Sequence, residues 1–397
     1  MVKKDGVSIV NQPHLLKMLP PFYQICFQRQ LKNAEYLTLT ILVFLLQTHK
    51  QVSIELLATL MPYPIMFESR RRGIQRFLKL PILKIESLWF PLIKYILRTQ
   101  FKKKQELKVA IDRTQCRDKN IFVRRLIWEQ RALPLYWQVL SKRGCSNIQE
   151  QQSLICPILG LLKNYKFVLL GDREFGSVKL ASWLCENNIR FVLRVKQGRY
   201  IQEEGEEFKR LSECGLVSGT SFYLRGVKVT KQQGFGKFDI AGYWRRQYRD
   251  SGEDEGWYLL TNIGTLKQAV TAFKCRSGIE AMFKDCKTGG YNLEKSHACD
   301  ERLKTLILLI ALAYSCAILQ GRKFKLMGIQ KYIGRVSECS RSQRRHSSFW
   351  IGLYGQCWVV GMEFCQGIVG ELMRIRRNKL PFFQRGIRAM SLILSMF

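Results

Sequence analysis

The sequence predicts an α/β fold: a mixed sheet covered by helices, interrupted by a β-rich insertion and flanked by helical N- and C-terminal regions. Three observations predict it. Between about residues 107 and 195, apolar runs of strand length and helix-length periods follow in the order β, β, β, α, β, α, β. A stretch of short strands separated by Gly-rich or acidic turns comes next. Outside these limits the apolar residues recur at helical spacing among Lys and Arg.

The elements follow in order. Tyr36 to Gln47 is a dense apolar run. Met66 to Leu80 sets Phe67, Ile74, Phe77 and Leu78 among Arg70, Arg71, Arg72 and Arg76, so both segments read as helices. The period changes near Lys108. Leu107 to Ile111 is a short apolar strand ending at Asp112, and Ile121 to Glu129 and Ala132 to Ser141 are two more with a turn between them. Glu150 to Leu162 reads as a helix, Lys166 to Leu170 as a strand ending at Gly171 and Asp172, Val178 to Glu186 as a helix and Arg190 to Val195 as a strand. Such an order lets the ends carrying Asp112 and Asp172 meet at one edge of the sheet. Ser221 to Thr230, Gly236 to Trp244 and Trp257 to Thr261 are the strands of the insertion. Leu266 to Lys287 is a helix that Thr288, Gly289 and Gly290 end, as Gly past the last turn commonly does. The expected domains are therefore 1–105, helical and basic; 106–320, the sheet with its insertion at about 197–264; and 321–397, a basic C-terminal region.

Charge narrows the partners. The chain has 397 residues, with 65 Lys and Arg against 31 Asp and Glu, a net +34. Residues 1–108 carry 18 basic and 6 acidic side chains, and residues 321–397 carry 14 and 3, so the ends hold most of the excess. A folded chain this basic repels itself unless a polyanion relieves it, which makes nucleic acid the leading partner. With 47% hydrophobic residues it is not a disordered basic tail. No apolar run follows Lys3 and Lys4 at signal-peptide distance. Thr305 to Leu319 is apolar for fifteen residues, short of a bilayer core of about 30 Å, and reads as a buried helix rather than a membrane span. Thirteen cysteines without a C-x-x-C pair fit neither a disulfide framework nor a zinc ribbon, so a reduced, cytoplasmic protein is expected.

Chemistry rests on three acids. An Asp closing a strand is ordinarily a turn residue. Two strands ending alike instead suggest paired carboxylates able to hold Mg²⁺, a hard cation that takes a few carboxylates plus water and phosphate oxygens. On an ideal helix Phe273, Arg276, Glu280 and Lys287 fall within about a 60° arc. That stripe is either a solvated, salt-bridged face or a carboxylate flanked by two cations, as a metal and phosphate site requires.

The text around these residues resembles the DDE triad of bacterial insertion-sequence transposases of the insertion-sequence-four type. It reads IDRTQ at 111–115, GDREF at 171–175, FVLRVK at 191–196, then F-x2-R-x3-E-x6-K from Phe273 to Lys287, running into GGYNLE. Asp112, Asp172 and Glu280 have 59 and 107 residues between them, and Phe273 stands where that family's signature has tyrosine. The likeness covers about residues 105–320, and Gln343 to Glu363 more loosely.

The resemblance implies a ribonuclease-H-like catalytic domain in which Asp112, Asp172 and Glu280 hold two Mg²⁺ ions, with Mn²⁺ as a substitute. One ion activates the attacking water or 3′-hydroxyl and the other stabilises the leaving oxygen. Arg276 and Lys287 would grip a phosphate near the element's end, and Phe273 would lie beside it without the hydroxyl. Trp244 is either a stacking partner for a flipped base or a hairpin core residue. Arg70, Arg71, Arg72 and Arg76 would form a DNA-contacting helix, or else a solvated face. The C-terminal region would contact DNA or pair two subunits. The implied activity is cut-and-paste transposition by a homodimer acting on terminal inverted repeats and target DNA at the bacterial nucleoid. Two alternatives stay open: a nuclease of the same fold without strand transfer, and an inactive remnant that binds DNA ends.

Overall fold

The computed structural model describes residues 18–396 apart from 117–118, 129–130, 141–143, 231–235, 247–254, 278–281, 283–285, 287–290, 297, 299 and 338–344. The chain packs as two compact units: Ile93–Glu294 forms one, and Met1–Leu92 with Lys295–Phe397 forms the other. Packing thus draws its lines elsewhere than the expected divisions at 105 and 320. The first and last segments of the chain share one unit because the long apolar helix after residue 300 needs the N-terminal helices to cover it.

In chain order the helices α1 (Pro21–Gln28), α2 (Asn33–His49), α3 (Ile54–Leu60), α4 (Phe67–Phe77) and α5 (Phe90–Gln100) lead into the sheet. Strands β1 (Leu107–Cys116), β2 (Lys119–Trp128) and β3 (Arg131–Leu140) precede α6 (Ile148–Leu162), β4 (Phe167–Gly171), α7 (Val178–Glu186) and β5 (Arg190–Val195). The insertion contributes β6 (Tyr200–Gln202), β7 (Lys209–Arg210), β8 (Ser221–Val229), β9 (Lys237–Tyr243) and β10 (Trp257–Thr261) before α8 (Leu266–Lys274). Helices α9 (Asp300–Leu326), α10 (Gln330–Ile333), α11 (Ser348–Phe364), α12 (Gln366–Ile375) and α13 (Leu380–Leu394) follow.

Among the described residues ten strands join one sheet in the order β3-β2-β1-β4-β5-β10-β9-β8-β6-β7. β1, β4 and β5 are parallel neighbours, whereas β2 runs against both β1 and β3. The insertion therefore extends the sheet rather than forming a separate layer. Its anchor is polar: Asn262 accepts from the Phe191 amide at 2.9 Å and donates to the Ile189 carbonyl at 2.9 Å, while Thr261 donates to the Phe191 carbonyl at 2.7 Å. At one edge β3 carries Pro134, which has no amide hydrogen to offer a further strand. β7, at the other edge, is two residues long.

The helical unit is built around α9. Its 27 residues exceed the fifteen of the expected apolar run, and by length and composition it could cross a membrane. Within the fold, 83% of its apolar window is buried, as in the core helix of a soluble unit. Gln47 on α2 donates to the Ala313 carbonyl at 3.2 Å, and Thr305 donates to the Leu78 carbonyl at 3.0 Å. α9 and α11 cross with their backbones nearly touching: a Cβ on Gly321 would lie 1.8 Å from the Ser348 carbonyl oxygen, and one on Gly352 1.8 Å from that of Ala317. Only glycine fits at either position.

Candidate active site

Register brings the two aspartates together. Along the parallel β1–β4 pair the last matched residues are Ile111 and Gly171, and the next residue on each strand is an aspartate. β4 stops there, but β1 continues beside β2 to Cys116, so Asp112 lies within its strand rather than at the expected end. The polar run Asp112 to Gln115 has little strand propensity of its own, and the β2 ladder overrides it.

Both carboxylates are held alike. Asp112 Oδ1 accepts from the Arg113 amide at 2.8 Å, and Asp172 Oδ1 accepts from the Arg173 amide at 2.8 Å. The remaining oxygens face one cation. Arg276 Nη2 stands 3.0 Å from Asp172 Oδ2 and 3.5 Å from Asp112 Oδ2. The three side chains are 35%, 18% and 16% exposed for Asp172, Asp112 and Arg276, so water screens this contact less than it would on the surface. Burial raises the pKa of Asp112; the Arg125 and Arg276 charges and the Arg113 amide oppose that shift, while Asp172 adds to it. Arg125 reaches this field because it lies opposite Ala110, on the same face of the sheet as Asp112.

A second tie locks the geometry. Arg113 Nε meets Glu174 Oε2 at 3.0 Å, and Glu174 Oε1 accepts from the Ser146 amide at 3.0 Å and its hydroxyl at 2.9 Å. Arg113 also donates to the Gly144 carbonyl. The residue after the first aspartate is thus clamped to the residue two after the second. Motif reading missed this pair, although the repeated Asp-Arg step in IDRTQ and GDREF was its visible signal.

Thr265 accepts from the Gln268 amide at 3.3 Å and starts α8, which delivers Phe273 and Arg276. The α-helical part ends at Lys274, and Cys275–Ser277 tighten into a 3-10 turn, so the expected continuous helix to Lys287 departs from ideal geometry at Arg276. Glu280 and Lys287 lie outside the described residues. Phe273, expected beside DNA, is 3% exposed and packs edge-on against Trp257 with ring centroids 5.0 Å apart. Its ring lies 6.0 Å from the Arg276 guanidinium carbon. The missing hydroxyl fits that setting, because a buried phenol needs a partner and a phenyl ring does not.

Trp244, at the end of β9, is half-buried; a Cβ on Gly256 would come 3.2 Å from its ring. The four arginines of α4 divide. Arg70 donates to the Met61 carbonyl at 3.1 Å and Arg71 pairs with Glu68 at 2.9 Å and Glu55 at 3.7 Å, so both serve the α3–α4 junction. Arg72 and Arg76, four residues apart on one face, are exposed.

Among the described residues no three His, Cys, Asp or Glu side chains cluster as a metal site. The pair Asp112 and Asp172 nevertheless fits a hard cation, since both Oδ2 atoms already converge on one positive nitrogen. The family model described as the transposase DDE domain matches residues 126–316. That span begins beyond Asp112 and takes in Asp172, Arg276, Glu280 and Lys287. Among solved structures, the chain is similar to the piggyBac transposase in a synaptic complex with hairpin DNA, at 12% identity over 96% of this chain and 82% of that one, with a TM-score of 0.40. No curated protein matches the chain.

Proposed function

We propose that the chain is a DDE-type DNA transposase that cleaves at the ends of an insertion sequence and transfers the 3′-hydroxyl into target DNA. The observation that carries this reading is the pair Asp112 and Asp172 at the Ile111–Gly171 register, with both Oδ2 atoms on one Arg276 nitrogen. The transposase DDE domain match supports the class. The order β3-β2-β1-β4-β5, with β2 alone reversed, fits a ribonuclease-H-like sheet.

In this reading Asp112 and Asp172 hold Mg²⁺ or Mn²⁺, with Glu280 as the third carboxylate. Bound there, the metal neutralises charge at a phosphodiester and lowers the pKa of a water or hydroxyl. The Arg113 and Arg173 amides fix one oxygen of each aspartate and aim the other at the site. Arg276 occupies the gap between the carboxylates in the absence of a substrate and turns to a phosphate oxygen when DNA arrives, with Lys287 beside it. The enzyme needs no protein nucleophile, because in-line positioning and charge neutralisation are what phosphoryl transfer requires. Two copies would hold the paired ends, with the basic segments 1–108 and 321–397 gripping duplex DNA.

The test is cleavage by purified protein of DNA carrying the element's inverted repeats, with Mg²⁺. Asp112→Ala, Asp172→Ala and Glu280→Ala are each expected to abolish cleavage and leave DNA binding within about threefold, since phosphate contacts supply most of the affinity. Unchanged cleavage by these variants would overturn the assignment. Cleavage without joining to a target plasmid would reduce it to a nuclease.

A further inference from the structure

A cavity of about 860 Å³ opens within the sheet unit at the carboxyl end of β5, with Arg173, just past the end of β4, in its wall. Its walls include Arg173, Lys196, Arg199, Tyr200, Thr230 and Glu255. Arg173 directly follows Asp172, so the cavity begins one residue from the candidate site. Crevices at the carboxyl ends of parallel strands are where open α/β sheets bind ligands.

The lining is unbalanced in charge. Among the described residues of the lining three cations face one carboxylate, and that carboxylate is shared: Glu255 Oε2 pairs with Arg173 and lies 3.3 Å from Arg194 Nη2. Arg199 is half-buried, and burial lowers its pKa, yet its guanidinium has no acid partner among the described residues. Burying an unpaired guanidinium costs free energy unless an anion accompanies it. Nor is Arg199 carried on a loose loop. Its amide donates to the Lys196 carbonyl at 3.1 Å, its carbonyl accepts from the Leu211 amide at 2.9 Å, and Ser212 donates to the Gln197 carbonyl at 3.0 Å. Thr230 donates its amide to the Tyr200 carbonyl at 2.9 Å, and its buried hydroxyl has no partner among the described residues. A fixed turn thus presents a guanidinium and an ammonium to one space.

We propose that this cavity is a phosphate subsite for the sugar-phosphate backbone of a single DNA strand, and that Glu255 occupies it as an internal anion until the strand displaces it. The Arg173–Glu255–Arg194 contact is one carboxylate oxygen between two guanidinium groups, the arrangement a phosphodiester oxygen would take over. Arg199 and Lys196 supply the remaining donors. The volume suits one or two nucleotides rather than a duplex. The strand assignment rests on the transposase reading above; the anion site itself does not.

The experiment uses the full chain in EDTA, with a fluorescein-labelled single-stranded oligonucleotide followed by anisotropy across a salt series. Glu255→Gln should tighten binding by about tenfold, since it removes the competing anion. Arg199→Ala should weaken it by about tenfold and lower the salt slope by about 0.7, the value of one phosphate contact on a single strand. Arg199→Lys should recover part of the slope, and equal melting temperatures for the variants exclude misfolding. Glu186→Gln, the same charge change at the exposed end of α7, should alter binding by less than about twofold. Equal effects of Glu186→Gln and Glu255→Gln, or an unchanged slope in Arg199→Ala, would overturn the subsite. A parallel melt with inorganic phosphate separates the sources of the anion. If phosphate stabilises the wild type and not Arg199→Ala, while oligonucleotide binding is the same in both, the DNA-strand assignment fails. The two readings separate cleanly. Absent Mg²⁺-dependent cleavage with the Glu255 and Arg199 pattern intact removes the transposase and leaves the anion site; cleavage with that pattern absent does the reverse.

Discussion

Ile111 and Gly171 are partners in a parallel ladder, and that single match is why two carboxylates share a cation. Gly171 has no room for more: a Cβ there would lie 2.8 Å from Leu193 Cδ2 and 2.8 Å from Phe175 Cβ. Gly171→Ala is therefore expected to push β4 off its neighbours and destabilise the sheet unit by about 1–3 kcal/mol. A urea midpoint that does not move would count against this account of the register.

Arg276 separates like charges. Replacing it with alanine leaves Asp112 and Asp172 facing each other uncompensated, so the melting temperature of Arg276→Ala should fall in EDTA. Mg²⁺ should then restore it by more than it raises the wild type. Saturation to about a hundred times the dissociation constant gives about 2.7 kcal/mol in the simple one-site case. Calorimetry with and without Mg²⁺ reads both; equal metal shifts in the two proteins would mean that Arg276 does not compete for the metal's place.

The clamp between Arg113 and Glu174 joins two motifs far apart in sequence. A double-mutant cycle with Arg113→Met and Glu174→Gln should return a coupling of about 1–2 kcal/mol, because the pair is partly buried and shares hydrogen bonds with Ser146 and Gly144. Independent effects of the two substitutions would show the contact to be incidental.

Arg124 lies on the opposite face from Arg125, fully buried, and its Nη2 makes a long 3.5 Å bond to the Gln151 carbonyl. Burial drives its pKa well down, and Nε and Nη1 find no partner among the described residues. Arg124→Met is accordingly expected to be neutral or to stabilise by about 1–2 kcal/mol, as when other buried charges give way to apolar side chains of similar size. A clear loss of stability in denaturant titration would point to an anion that this arginine keeps.

The α4 arginines should separate by role. Arg72→Ala and Arg76→Ala are expected to leave melting unchanged and to reduce the salt slope of duplex binding by about 0.9 each. Arg70→Ala should instead lower the melting temperature, since it unties the α3–α4 junction. Filter binding across a salt series, paired with thermal melts, distinguishes the two behaviours.

The strands β5 and β8 to β10 and helix α7 were legible because their apolar period is local and their turns are marked. The apolar run stops at Asp112 and three polar residues follow it, so only the β2 ladder reveals that the strand continues. The helix after Thr265 was read as one rod, whereas its geometry tightens at Cys275. The helical wheel puts Phe273 in one arc with Arg276, Glu280 and Lys287 but counts angle and not neighbours; Trp257 arrives from 16 positions earlier, and no periodicity announces it. The sharing of one helical unit by both ends of the chain was equally hidden, because it depends on what covers α9.

The two margins of the sheet close off one route of association. Pro134 interrupts the row of donors on β3, and β7 is too short to template a neighbour. Each margin thus offers a foreign strand a poorer template than an uninterrupted edge strand would. The carboxylate platform lies away from both margins, where the neighbouring strands β1 and β4 end their shared ladder.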